Sequence, residues 1–105
     1  MTTDIPNVVK DLLRADREMA ALLDAIDDND GVECAQVPHV FYPEDFHTSS
    51  QSMGMVRLAE NTAREICMRC PVIAQCLRVG LREEFGIWGG TTPKQRAKIR
   101  REQQI

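Results

Sequence analysis

The sequence predicts a small all-α fold: a long N-terminal helix leading into a module of about three short helices, closed by a basic C-terminal helix or tail. Three observations predict it. Apolar residues recur at three- and four-residue steps in separate stretches, the period of a helix buried along one face. Prolines and small polar residues stand where those helices would begin, with glycine-rich turns between them. At 105 residues with five aromatics, the chain has room for one domain and little bulk to fill its core. Its four cysteines are then the natural staple, and the chain without whatever they hold is expected to be loosely folded.

The first helix is expected from residue 6 to about 26. Ile5, Val8, Val9, Leu12, Leu13, Met19, Leu22, Leu23 and Ile26 form its stripe, interrupted by Asp16 and Arg17. Asp4 suits the cap and Pro6 the first turn. Residues 1–33 carry nine acidic and three basic side chains, so this is an acidic segment that either completes the core or binds a partner. Asp27-Asp28-Asn29-Asp30-Gly31 has the look of a calcium loop, but the register fails. With Gly31 as loop position six, Ile26 and Val37 fall where carboxylates are required. It reads as a solvated turn.

From Cys34 onward the chain reads as loop, broken by Pro38 and Pro43 and by the polar run Thr48-Ser49-Ser50-Gln51-Ser52. Phe41, Tyr42 and Phe46 are expected to fold back over the cysteine site, with His39 and His47 at the surface. A second helix is expected from 52 to about 67, burying Met55, Leu58, Ala59, Thr62, Ala63 and Ile66. A third is expected from about 72 to 85, with Val72, Ile73, Cys76, Leu77, Val79 and Gly80 near the core and Gly86 as its C-cap.

Between them lies Cys67-Met68-Arg69-Cys70-Pro71-Val72-Ile73-Ala74-Gln75-Cys76, spaced C-x2-C-x5-C, with Cys34 far upstream. Pro71 suits the first turn of the third helix, which places Cys70 at its positive N-terminal edge and Cys76 nearly two turns in. Three fates for such thiols compete. Disulfides need an oxidising compartment, and Met1-Thr2-Thr3-Asp4 does not begin a signal peptide. Zinc commonly uses two close-spaced ligand pairs, and here there is one. An iron–sulfur group tolerates uneven spacing because its corners are far apart. Spacing alone leaves these open.

Downstream stands Gly86-Ile87-Trp88-Gly89-Gly90, then Thr92-Pro93 opening a basic helix with Lys94, Arg96, Lys98, Arg100 and Arg101. The order of an upstream cysteine, C-x2-C-x5-C, a G-I-W-G-G turn and a basic tail resembles the WhiB-like family of actinobacterial and phage transcriptional regulators. Phe41-Tyr42-Pro43 is similar to the family's aromatic–aromatic–proline segment. The long gap from Cys34 to Cys67 and the acidic extension depart from the pattern. The resemblance implies a [4Fe-4S] cluster held by Cys34, Cys67, Cys70 and Cys76. It implies a surface for the primary sigma factor of RNA polymerase, near the part that reads the promoter −35 region. That surface would be made by Gly86, Ile87, Trp88, Gly89 and Gly90 with Phe41 and Tyr42. It divides the chain into the acidic segment 1–33, a module over 34–92 and a basic tail over 93–105.

The five tail cations are expected to touch DNA phosphates rather than bases, with a log–log salt slope of about −4 if all engage. The protein is expected to be a cytoplasmic, non-enzymatic regulator that responds to nitric oxide or oxygen, with no membrane and no small-molecule substrate. Two alternatives belong to other classes. One is a disulfide reductase using Cys67 and Cys70, although no βαβ pattern surrounds them. The other is a phage antagonist that occupies sigma without useful DNA contact.

Overall fold

Residues 7–43 and 52–103 are described by the structure, a computed structural model. Asp4, Pro6, Phe46, His47 and the Thr48-Ser49-Ser50-Gln51 run lie outside them, as do the expectations placed on those residues. The described chain is all-α: α1 (Asn7–Asp28), α2 (Ser52–Met68), α3 (Ile73–Gly80) and α4 (Pro93–Gln103). Two 3-10 turns, Glu33–Gln36 and Pro38–Phe41, occupy part of the stretch expected as loop. Pro38 starts the second of them, where its missing N–H is harmless.

α1 ends at the acidic turn in a Schellman arrangement. Gly31 N–H donates to the Ile26 carbonyl at 2.9 Å and Asp30 N–H to the Asp27 carbonyl at 3.1 Å. Asp30 takes the left-handed conformation that this motif needs, with φ 59°. Only the last third of α1 is docked. Leu22 is buried against Val72 and Val79, with Ala25 and Ile26 half-buried beside it. Arg82 and Glu18 close the same contact with an ion pair at 2.5 Å. Farther forward, Val8 and Leu12 are more than 60 % exposed.

α2 buries Ala59, Ala63, Ile66 and Cys67, which recur at helical spacing on one side. Met55 and Leu58, expected on that face, are exposed. Leu58 stands about 100° of helical turn away from Ala59, and Met55 lies a full turn ahead of it.

α3 is shorter than the expected helix to residue 85: after Leu81 N–H donates to the Leu77 carbonyl at 2.9 Å, the chain tightens into a turn in which Glu83 N–H donates to the Gly80 carbonyl at 2.8 Å. Beyond Gly80, the carbonyls of Leu81, Glu83, Phe85 and Gly86 accept hydrogen bonds from arginine side chains of α4. Phe85 also accepts from the Trp88 indole at 3.1 Å. The arginine bonds hold the turn after α3 against α4. Gly86, at φ 81°, serves that later turn and is not the cap of α3. α4 opens with a capping box. Gln95 N–H donates to Thr92 Oγ1 at 3.2 Å, and Thr92 N–H donates to Gln95 Oε1 at 2.9 Å.

Packing divides the core in two. Phe41, Ala63, Ile66, Cys67 and Ile87 make one half, joined by Cys34 and Ile73. Leu22, Val72 and Val79 make the other, joined by Cys70, Cys76 and Trp88. Each half-core therefore holds two cysteines. No helix among the described residues is long and apolar enough to cross a membrane.

Candidate functional site

The four cysteines reach the site from different elements. Cys34 lies on the first 3-10 turn, Cys67 in the last turn of α2, Cys70 in the connection after it and Cys76 in the first turn of α3. Cys70 N–H donates to the Cys67 carbonyl at 3.0 Å, folding the C-x2-C pair into one tight turn. All four line one cavity of about 540 Å³ between the two half-cores, and all four are free thiols. Leu22 and Ile26 of α1 form one wall, with Ile66, Phe41 and Ile87 on another. His39 is exposed and does not line the cavity. Arg69 and Glu33, each next to a cysteine, bridge the rim through two hydrogen bonds at 2.8 and 2.5 Å.

Burial pushes the Cys34, Cys67 and Cys76 thiols above their ordinary range, Cys76 up to about 11. Backbone N–H groups work against that rise at all three sulfurs: Gly89 donates to Cys76 Sγ at 3.3 Å, Gly90 donates to Cys67, and the N–H groups of Cys34 and Ala35 face the Cys34 sulfur. A proton or a cationic group must balance such sulfurs at neutral pH. Among the described residues, no three cysteine, histidine or carboxylate side chains are gathered tightly enough for a single metal ion. Four sulfur donors around one cavity are a ligand set that a multi-iron group takes.

The G-I-W-G-G segment builds a tight hairpin beside these sulfurs. Trp88 and Thr91 exchange backbone hydrogen bonds at 3.1 and 2.9 Å. Gly89 and Gly90 between them sit at φ 54° and 77°, the left-handed pair that a type I′ turn demands. Just before it, Ile87 N–H donates to the Phe41 carbonyl at 2.6 Å, tying the hairpin to the aromatic–proline segment.

The residues expected to form a partner surface are distributed unequally. Phe41, Gly86, Ile87 and Gly89 are buried, Trp88 and Gly90 are half-buried, and Tyr42 is exposed. Tyr42 lies over Gly86, where an added Cβ would meet its ring at 2.8 Å. Phe85, assigned from sequence to the end of a helix, is 63 % exposed. Among the described residues, the accessible aromatic side chains are therefore Tyr42, Phe85 and part of Trp88.

The five tail cations also divide. Lys94, Lys98 and Arg101 are exposed, whereas Arg100 is half-buried and Arg96 is fully buried. A guanidinium so enclosed does not face a phosphate, so the expected contact by Arg96 does not fit this placement. The signal was in the spacing. Positions 94, 98 and 101 share one helical stripe, and 96 and 100 share the opposite one.

The family description "Transcription factor WhiB" matches residues 29–99, which include all four cysteines, the hairpin and the first half of α4. The chain belongs to the WhiB family. It is similar to the transcriptional regulator WhiD of Streptomyces coelicolor, 39 % identical over 56 residues, covering 51 % of this chain and 50 % of WhiD. It is similar to the transcriptional regulator WhiB2 of Mycobacterium tuberculosis, 35 % identical over 71 residues, covering 65 % of this chain and 67 % of WhiB2. It also resembles the redox-responsive transcriptional regulator WhiB3 of Mycolicibacterium smegmatis, 42 % identical over 55 residues, covering 49 % of this chain and 55 % of WhiB3. The match thus spans about half the length of WhiD and WhiB3. No solved structure matches the chain.

Proposed function

We propose that this protein is a cytoplasmic transcriptional regulator that holds a [4Fe-4S] cluster through Cys34, Cys67, Cys70 and Cys76. In this reading it binds the primary sigma factor of RNA polymerase through Tyr42, Phe85 and Trp88, and touches promoter DNA through the outward cations of α4. The observation that carries the reading is the placement of all four cysteines on one cavity between two half-cores, with hairpin N–H groups aimed at two of the sulfurs. Membership of a family whose named relatives are transcriptional regulators supports the rest.

Bound there, the cluster supplies an iron centre with which nitric oxide and oxygen react. The chain's own part is to hold and shield it. Leu22, Ile66 and Ile87 keep water from the cavity, and Gly89 and Gly90 stabilise charge on the sulfurs of Cys76 and Cys67. The same hairpin presents Trp88, so the sulfurs and the partner surface share one piece of backbone. A response to nitric oxide or oxygen is then a change in what that hairpin offers. The disulfide-reductase alternative draws less support, because Cys67 is 6 % exposed and burial raises its thiol.

The test is to purify the protein without oxygen, count iron and sulfide, and ask whether it retains the primary sigma factor, with Cys76→Ser as control. Iron-loaded protein that retains sigma, and a serine variant that does neither, is the expected result. Loaded protein that ignores sigma would leave the partner assignment wrong. Visible spectra unchanged by nitric oxide and by air would remove the sensing role.

A further inference from the structure

We infer that Arg96 is a positioning residue that locks the outward cation face of α4 to the hairpin beside the sulfurs. The consequence for DNA rests on the function proposed above, and the experiment separates the two.

Arg96 has no exposed surface. Among the described residues its guanidinium donates five hydrogen bonds. Nε donates to the Glu83 carbonyl at 3.1 Å. One terminal nitrogen donates to the Thr91 carbonyl at 2.7 Å and to Thr91 Oγ1 at 3.3 Å. The other donates to the carbonyls of Phe85 at 3.1 Å and Gly86 at 2.7 Å. Arg100, one turn on, adds a bond to the Leu81 carbonyl at 2.5 Å. The planar fork gathers both ends of the hairpin segment around one side chain. A lysine, with a compact ammonium head, cannot span the same set.

The hairpin has sulfurs on its other side. Gly89 and Gly90, which donate to Cys76 and Cys67, lie directly before Thr91, which accepts from Arg96. Covalent backbone and hydrogen bonds thus run from the sulfurs through the hairpin and Arg96 to α4. On the far face of that helix, Lys94, Lys98 and Arg101 point to solvent. Arg96 sets where those three charges stand.

Arg96→Lys is the decisive variant because it keeps the charge and loses the fork. Full-length, anaerobically purified wild type, Arg96→Lys, Arg100→Gln and Lys98→Gln would be compared in two assays: amide hydrogen exchange, and salt-titrated binding to a short random-sequence DNA duplex. In Arg96→Lys, amides of α4 are expected to exchange at least about tenfold faster while those of α2 stay protected, and duplex affinity to fall about tenfold. Lys98→Gln should keep wild-type exchange and lose about 0.9 of the salt slope. Wild-type exchange and affinity in Arg96→Lys would overturn the inference, since charge alone would then suffice. If Arg96→Lys exchanges fast throughout the chain, Arg100→Gln decides: acceleration confined to α4 supports the lock, and wild-type exchange overturns it. If wild type ignores DNA, the DNA reading fails and the exchange result alone judges the lock.

Discussion

Replacing Gly80 by alanine sets two physical effects against each other. Gly80 is the last residue of α3, and alanine in a helix is favoured over glycine by about 0.8–1.0 kcal/mol. The structure reverses the sign. A Cβ on Gly80 would stand 2.2 Å from Trp88 Cβ and 2.6 Å from Trp88 Cγ, more than 1 Å inside ordinary contact. Trp88 cannot swing away at that atom, because its backbone is held by the pair with Thr91 and its indole by the Phe85 carbonyl. Overpacking of this kind costs roughly 1–3 kcal/mol, and more when backbone must shift. Alanine is therefore expected to destabilise by about 1–2 kcal/mol net, taking the upper part of that range less the helical gain. For a domain of this size that lowers the apparent Tm by roughly 5–10 °C. Gly54 is the matched control. It lies in α2 with nothing within 4 Å of an added Cβ, so Gly54→Ala should raise Tm by a few degrees. The assay is a thermal melt of both variants prepared without oxygen beside wild type. A Gly80→Ala protein as stable as wild type, or more so, would refute the wedged placement of Trp88.

Other outcomes follow from the same packing. Leu22→Ala should destabilise by about 2–4 kcal/mol, whereas Leu12→Ala should change stability by less than about 0.5 kcal/mol, since only the former side chain is buried; denaturant melts of the pair check how far α1 is docked. Wild-type binding to duplex DNA should show a log–log salt slope of about −2.7, set by three outward cations, and a slope of about −4 or steeper would mean that all five engage. Phe85→Ala should leave Tm within about 2 °C of wild type yet weaken retention of the sigma factor by more than about tenfold, as truncation of an exposed aromatic anchor does; a pull-down titration reads it, and unchanged retention would move the partner surface elsewhere.

The helices were readable because their signals are local. Apolar period placed α1 and α2, and Thr92-Pro93 placed the start of α4. The four cysteines were readable because their residue type admits few fates, and family resemblance separated those fates where spacing did not. What escaped depended on contacts far apart in sequence. The turn after α3 is held by arginines 10 to 19 residues downstream, contacts that no local rule reads, whereas Gly86 read locally as the cap of a longer helix. Arg96 read as a surface cation because composition does not say which side of a helix meets the core, although the spacing of its neighbours did. Phe85 was lost in the same way, since a helix drawn to 85 hid the turn that exposes it. The division of the core into two halves, each with two cysteines, had no sequence signal at all.

The two half-cores meet at the cavity lined by the four sulfurs, so a group held there would join them. The direct measurement is iron and acid-labile sulfide content on anaerobically purified protein, read together with a thermal melt before and after chelation. The account predicts about four irons and four sulfides per chain, and a melt that collapses to a broad, low transition once they are removed. A colourless, iron-free protein with a sharp melt that chelation leaves untouched would contradict it.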